Sequence, residues 1–378
     1  KDGVKGFKVM VGGGLGAQPK LAECAYEFLP ANEVVPFIES CVRLFDRFGE
    51  RANRAKARLK YLISEWGIEG LKEKIEEIKL SLTHQTYELT EDIPRAYSGP
   101  NPNYQTAPET IIEDQEAYDL WYKTNVRDQK QEGYKSVYIR LTSGDFYTDE
   151  ARKLADLVDG YAGDDIRISI NQGLQLRYVQ PEALPYLYSV LKSINMVKPG
   201  FNSTLDVTAC PGTTTCNLGI SDSTNTAIEM EKFMAVNHPD LLHNEEIKIK
   251  ISGCMNSCGQ HSLAQIGFHG SSTKEKATKK VLPALQVLLG GGVTQDGGGR
   301  ISDKVIKIPS KRALIGLDMI LNEYKVNKTE GEGFNEYYDR TGKMHFYELL
   351  KPLADTTNLK DSDFVDWGND ESYVKAIG

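Results

Sequence analysis

Thr208-Ala209-Cys210-Pro211-Gly212-Thr213-Thr214-Thr215-Cys216-Asn217 and, further on, Ile251-Ser252-Gly253-Cys254-Met255-Asn256-Ser257-Cys258-Gly259-Gln260-His261 decide how this chain is read. These segments hold four of the six cysteines, spaced C-x5-C and C-x3-C with 37 residues between the pairs. Small and polar neighbours let backbone N–H groups approach sulfur. The second pair follows the strand-like run Glu246-Ile247-Lys248-Ile249-Lys250-Ile251. Soft thiolates on two loops suit tetrahedral zinc or an iron–sulfur cluster. Neither pair has the C-x2-C knuckle common in structural zinc sites. Spacing also leaves open disulfides and four unrelated buried thiols.

At 378 residues the chain exceeds one average domain and suggests two or three. Its 40 % hydrophobic and 26 % charged content is that of a globular protein able to bury a core. Acidic side chains outnumber basic ones 53 to 45, for a formal charge of −8, which gives no support for a nucleic-acid or anionic-membrane partner. No apolar run approaches the ~18 residues of a transmembrane helix. The opening Lys1-Asp2-Gly3-Val4-Lys5-Gly6 lacks the apolar region of a signal peptide and has no initiating Met. Six cysteines in so large a chain point to a reducing compartment, the cytoplasm.

Residues 7–11 read as a strand running into Gly12-Gly13-Gly14-Leu15-Gly16. That cluster could cradle a phosphate or carboxylate, or make a tight turn; it has neither dinucleotide nor P-loop spacing. The signal returns late: Gly290 follows Gly12 by 278 residues, and Pro309 follows Pro30 by 279. A helix-like run comes after each proline. Two echoes at nearly one offset predict a duplication, with a Gly-rich turn used twice as the plain alternative. The late copy has a long α/β stretch before it and the early one has none. The first copy is therefore expected to be truncated, by about 200 residues if the repeats match in length.

From 32 to 78 the pattern is helical, with Phe37, Ile38, Val42, Leu44 and Phe45 on one apolar face and a stop at Asp46-Arg47-Phe48-Gly49. Arg51, Arg54, Lys56, Arg58 and Lys60 make a basic helix face, solvated or in contact with an anion. The stretch from 81 reads as a connecting arm, broken by prolines from Pro94 to Pro108, that could wrap another part of the molecule. Strands are expected at 134–141, 165–170 and 174–179 and helices at 148–157 and 181–194, a ferredoxin-like arrangement. Further strands are expected at 246–251, 265–270 and 281–289, with a helix opening at Asp222-Ser223. His261 and His269 could donate protons or simply hydrogen-bond locally. The acidic end, with Asp361, Asp363, Asp370 and Glu371, reads as a surface-bound tail.

At the cysteine quartet the chain resembles the C-terminal two-thirds of sirohaem-containing nitrite/sulfite reductases. Cys210-x5-Cys216 and Cys254-x3-Cys258 match that family's cluster motif, with Pro211, Gly212, Gly253, Asn256 and Gly259 in agreement. Arg167-Ile168-Ser169-Ile170-Asn171-Gln172 is similar to the family's Arg-x-Thr-x-Asn-Gln strand, with Ser169 in place of the usual Thr. The glycine repeats and the basic run after Phe48-Gly49 agree as well. The likeness spans essentially the whole chain, most securely 134–293.

The resemblance implies an α+β fold: a duplicated nitrite/sulfite reductase architecture with ferredoxin-like and sirohaem/cluster α/β domains, its first copy truncated. The implied divisions are 1–30, the end of the first sirohaem domain; 31–80, helical; 81–120, the arm; 121–199, ferredoxin-like; 200–330, cluster and sirohaem; and 331–378, a C-terminal extension. Cys210, Cys216, Cys254 and Cys258 are implied ligands of a [4Fe–4S] cluster, and Cys258 also of the sirohaem iron. Arg167, Asn171, Gln172 and Asn256 are further implied cofactor contacts, joined by Gly12, Gly13, Gly14, Gly290, Gly291 and Gly292. Cys24 and Cys41 fall outside the motif and read as structural thiols.

The implied activity is six-electron reduction, with sulfite to sulfide as the lead reading and nitrite to ammonia beside it. Electrons would come from reduced ferredoxin or an equivalent donor. The family's catalytic Arg and Lys lie largely in an N-terminal half that this sequence does not contain, so none is assigned, and that missing half is itself an expected partner. A cluster-only electron-transfer protein and a zinc-organised binding protein are the other readings.

Overall fold

Strand β1 (Gly6–Val11) ends at Gly12, whose φ of +79° makes a turn that side chains with a Cβ resist. A computed structural model shows this and describes residues 3–89, 99–101, 103–163, 165–294 and 297–374. The chain divides into two compact units, 1–95 and 96–378. The division falls inside the expected arm, and residues 90–98 and 102 of that arm lie outside the described residues.

In the first unit β1 pairs antiparallel with β2 (Glu23–Pro30), and helices α1 (Val34–Phe48) and α2 (Leu59–Lys79) follow. Leu29, Phe37, Leu44, Leu62, Ile63, Leu71 and Ile75 form the core. Ile38 and Val42, expected on the buried face of α1, are exposed, because Pro36, Phe37, Ser40 and Leu44 turn the opposite stripe inward. Before Leu59 the basic run makes a single 3-10 turn, Arg54–Lys56, rather than an α-helix. The Glu50 carboxylate accepts from the N–H groups of Ala52 and Asn53 at 2.6 and 2.9 Å, and Asn53 Oδ1 accepts from Ala55. Local side-chain acceptors thus take donors that a helix would need. Of the five cations only Lys60 sits on α2, and it is buried.

Among the described residues the second unit holds two larger sheets. The first is four-stranded and antiparallel, in the order β3 (Val126–Asp128), β4 (Lys135–Ile139), β6 (Leu174–Val179), β5 (Ile166–Ile168). Helices α3 (Gln115–Asn125), α4 (Thr148–Tyr161) and α5 (Leu184–Ser193) cover it. Strand β5 is shorter than expected because Ser169 to Gly173 close into a turn with Gln172 at φ +67°. The described arm residues of the second unit lie against this layer: Gln105 N–H donates to Gly160 O at 2.9 Å, and Ala107 and Ile112 pack on its core.

The second sheet is five-stranded and mixed, in the order β13-β10-β9-β8-β7. Its strands are β7 (Thr208–Ala209), β8 (Ile249–Ser252), β9 (Ile266–Lys274), β10 (Val281–Leu289) and β13 (Asp303–Pro309). Between the last two lies a small ribbon of β11 (Gly292–Val293) and β12 (Gly299–Arg300). Strands β7, β8 and β9 run parallel and the others antiparallel. Strand β10 is apolar on both faces, with Leu282, Leu285, Val287 and Leu289 buried between neighbours. Helices α6 (Ser223–Asn237), α7 (Ala313–Asn327), α8 (Phe334–Thr341) and α9 (Lys343–Leu350) complete the core. Strand β8 begins at Ile249 rather than 246, because Asn244 Oδ1 accepts from the N–H groups of Glu246 and Ile247 and holds them in a turn. No helix among the described residues is long and apolar enough to cross a membrane.

The repeat read from sequence recurs in the hairpin, the glycine turn and the helix that follow one another in each unit. Gly6 pairs with Pro30 and Val11 with Glu23 in the first unit; Ala284 pairs with Pro309 and Leu289 with Asp303 in the second. Gly12 and Gly290, one residue after β1 and β10, share a φ of +79°. Each proline then opens a three-residue 3-10 turn and a 15-residue helix, Val34–Phe48 and Ala313–Asn327, 279 residues apart.

Candidate cluster site

The two cysteine loops leave the ends of the adjacent parallel strands β7 and β8, which brings residues 43 positions apart into contact. Gly253 N–H donates to Cys210 Sγ at 3.1 Å, and Cys210 N–H donates to Ile251 O at 3.2 Å. The Ser223 hydroxyl donates to Cys210 O at 2.7 Å and stands 3.5 Å from its sulfur. Ile220 and Ser221 both donate to Gly253 O, at 2.8 and 3.1 Å. The loops pass so closely that a Cβ on Gly253 would stand 2.5 Å from Gly212 Cα. Only glycine fits there.

All six cysteines are free thiols, so the disulfide reading falls away. Cys254 is buried, Cys210 half-buried, and Cys216 and Cys258 exposed. Burial pushes the Cys254 thiol up; the backbone N–H of Asn256 opposes this, and Cys210, Cys258 and Cys216 each add to the rise. Cys254 is therefore near enough to feel each of the other three sulfurs. Yet among the described residues no three His, Cys, Asp or Glu groups are gathered tightly enough for a single ion. The Gly253 N–H turned toward the Cys210 sulfur is the kind of donor that would spread the charge of a bound cluster.

The other expected site residues are placed as follows. Gln172 brackets Ala209, the residue before Cys210: its Nε2 donates to Ala209 O at 2.8 Å and its Oε1 accepts from Ala209 N–H at 3.0 Å. Asn171 Nδ2 donates to Asp206 at 2.6 Å. Arg167 and Arg177 both pair with Asp165, Arg177 at 2.6 Å. Three N–H groups of the glycine turns are spent internally: Gly14 on Lys20 O, Gly290 on Gln265 O and Gly291 on Ala264 O, each at 3.0 Å. Added side chains at Gly13 and Gly292 would press on Ala22 and Gln265. Cys41, in the first unit, is pushed up to about 11 by burial, the state of an inert thiol, and Cys24 donates to Glu27.

His261 and His269 are buried neighbours with ring centroids 4.8 Å apart. Burial, then His269 and Lys304, hold His261 down to about 3, and burial lowers His269 as well. Burial thus favours the neutral form of both rings. His269 Nδ1 lies 3.0 Å from Gly270 O.

Several groups of this site escaped the sequence reading. Arg140 is buried with two carboxylates, 3.5 Å from Asp206 and 3.0 Å from Glu231, and Lys198 reaches Glu231 at 2.8 Å. This cluster joins the antiparallel layer to the residues that lead into the first cysteine loop. Burial pushes the Asp206 carboxyl up to about 6 against the pull of Arg140. Beside the second loop lies a cavity of about 460 Å³ whose lining includes Asn171, Asp206, Glu245, Glu246, Lys248, Lys250 and Gln260. Burial brings Lys248 down to about 8 and lowers Lys250. The alternation Lys248-Ile249-Lys250 was the only signal for two lysines facing one way.

A ferredoxin-like layer bound to a mixed sheet, with four thiols on interlocked loops at its strand ends, defines an iron–sulfur protein of the α+β class. The chain belongs to the family of the nitrite and sulphite reductase 4Fe-4S domain, which it matches over residues 1–82 and 200–356; residues 127–194 match the nitrite/sulfite reductase ferredoxin-like half domain. That family carries a [4Fe–4S] cluster and sirohaem.

Relatives include a chloroplastic ferredoxin–nitrite reductase of Arabidopsis thaliana, 27 % identical over 88 % of this chain and 53 % of that protein. Another is sulfite reductase [ferredoxin] 1 of Mycolicibacterium paratuberculosis, 27 % identical over 87 % of this chain and 55 % of that protein. The solved NirA protein of Mycobacterium tuberculosis superposes with a TM-score of 0.69 at 25 % identity, over 90 % of this chain and 58 % of that one. The chain thus spans about half the length of the curated relatives it matches.

Proposed function

We propose that this chain is the cluster-bearing part of a six-electron reductase, with sulfite to sulfide the lead reaction and nitrite to ammonia the runner-up, and with reduced ferredoxin or an equivalent carrier as donor. The convergence of Cys210, Cys216, Cys254 and Cys258 on two loops tied by the Gly253–Cys210 bond is the observation that carries it. These four thiolates would hold the [4Fe–4S] cluster, and Cys258 would also ligate the sirohaem iron. When bound, the paired cofactors supply stored single electrons and an open iron face for the anion.

The chain's own contribution is positional and electrostatic. Gly253 turns its N–H toward the Cys210 sulfur, the Asn256 N–H opposes the burial that raises the Cys254 thiol, and Ser223 holds the Cys210 backbone. Gln172 fixes the entry to the first loop, and the buried Arg140 cluster fixes the layer that carries Gln172. Lys248 and Lys250 share their cavity with Asp206, Glu245 and Glu246, so its lining carries both signs of charge.

The names of the relatives support both anions, since nitrite and sulfite reductases match at similar identity. Steady-state turnover of each anion by the full protein with a reduced donor tests the proposal. Sulfide or ammonia in the product is expected. Neither product from cofactor-loaded protein would overturn it, and visible spectra without chlorin bands would favour a cluster-only electron carrier.

A further inference from the structure

The family match ends at residue 356, yet the segment 361–374 reaches back to the first cysteine loop. Its sequence reads as an acidic tail, and two of its carboxylates are nevertheless buried, Asp363 and Asp366. Asp366 accepts from Asp222 N–H at 2.8 Å, from the Ser310 hydroxyl at 2.7 Å and from Trp367 N–H at 3.0 Å. Tyr373 donates its hydroxyl to Ile220 O at 2.9 Å. Burial, then Asp366, pushes that phenol up to about 12, so it stays a donor. Trp367 Nε1 bonds to Ser310 O at 3.0 Å, and Lys311 lies 4.2 Å over the indole ring.

The residues so held, 220 to 223, are the shelf on which both cysteine loops rest. On one side Ile220 and Ser221 donate to Gly253 O, next to Cys254, and Ser223 bonds to Cys210. On the other side Tyr373 takes Ile220 and Asp366 takes Asp222, which also caps α6 through Asn225 N–H at 2.9 Å. The shelf is clamped between the second cysteine loop and a segment lying outside the family match.

We infer that segment 361–374 is a strap that positions the cluster loops, with Asp366 and Tyr373 as positioning residues that act through the 220–223 shelf. The inference rests on the cluster reading of the four cysteines and assigns this chain a means of holding them that the matched family region does not include. Removing one hydroxyl from the strap loosens the shelf by about one hydrogen bond, which should let the cluster leave about five-fold faster.

The test is made on the full protein, as wild type and as Tyr373→Phe, Asp366→Asn and Asp361→Asn, the last altering an exposed strap carboxylate away from the shelf. Iron release to an excess of chelator gives one readout. Amide hydrogen exchange at Ile220 and Ser221 gives the other, with Val287 in β10 as the reference for global opening. Faster iron release and faster exchange at the shelf in Tyr373→Phe and Asp366→Asn, with Val287 and Asp361→Asn at wild-type rates, are expected. Wild-type rates at the shelf, or equal acceleration at Val287, would overturn the strap. A wild-type protein without a cluster would count against the site reading instead, and the exchange arm alone would then decide the strap.

Discussion

The N–H of Gly253 and the sulfur of Cys210 are 3.1 Å apart, joining two loops whose cysteine pairs are separated by 37 residues of sequence. The bond exists because β7 and β8 run parallel and end together, with Thr208 opposite Lys250 and Ala209 opposite Ile251. Two loops leaving one edge of a parallel pair can converge on a single ligand.

Gly253→Ala tests that closeness. The new Cβ would stand 2.5 Å from Gly212 Cα and 2.9 Å from Ser221 O, backbone atoms that cannot swing aside. A loss of roughly 1–3 kcal/mol is expected from overpacking. Chemical denaturation should show it, together with reduced iron content. A variant with wild-type midpoint and iron would mean that the loops can part without cost.

Gln172→Leu removes both bonds to Ala209 and leaves a buried N–H and C=O unmet. Each orphaned group costs about 1–3 kcal/mol when water cannot replace the partner. The expected outcome is lower stability and lower cluster occupancy, while Gln172→Glu, which keeps an acceptor for the Ala209 N–H, should fall between. Equal occupancy in all three proteins would show that the first loop does not depend on this clamp.

Arg140→Met leaves Asp206 and Glu231 buried without their common partner. Breaking a buried pair from one side costs about 3–5 kcal/mol. Urea unfolding should show this loss near neutral pH and less of it in acid, where protons replace the missing charge. The raised carboxyl of Asp206 has its own sign: its contribution is full below the ordinary carboxylate range and is lost as pH rises through about 6. A pH-independent loss would place the cost elsewhere.

The histidine pair has the opposite sign. Folded His261 declines a proton that the unfolded chain accepts below about pH 6.5. Stability should therefore fall as pH drops from about 6.5 toward 3, by up to about 1.4 kcal/mol per unit for this group. Denaturation midpoints between neutral pH and the acid limit should fall less steeply in His261→Gln. An unchanged slope would locate the acid sensitivity in other groups.

The parts legible in sequence share one property, a pattern carried by neighbouring residues. The cysteine spacing, the two glycine turns and the apolar run of β10 are of that kind. The edge strand β2 escaped because its charged and apolar residues do not alternate cleanly, and its pairing with β1 is irregular. Gln172 and Asp366 act on backbone groups far along the chain, and nothing beside either residue announces its target. Acidic composition read as a surface-bound tail without singling out Asp366, whose burial is offset by three accepted hydrogen bonds. The basic run after Gly49 resembled a helix in composition, whereas Glu50 and Asn53 captured its first donors.

The most direct test of the central claim measures iron and acid-labile sulfide, with EPR of the reduced state, in the full protein and in single Cys→Ser variants. The account predicts a [4Fe–4S] signal in the wild type and in Cys41→Ser. It predicts loss of that signal in Cys210→Ser, Cys216→Ser and Cys254→Ser, and loss of the coupling to sirohaem in Cys258→Ser. Zinc without acid-labile sulfide in the wild type, or an intact cluster signal when any of the first three ligands is replaced, would contradict it.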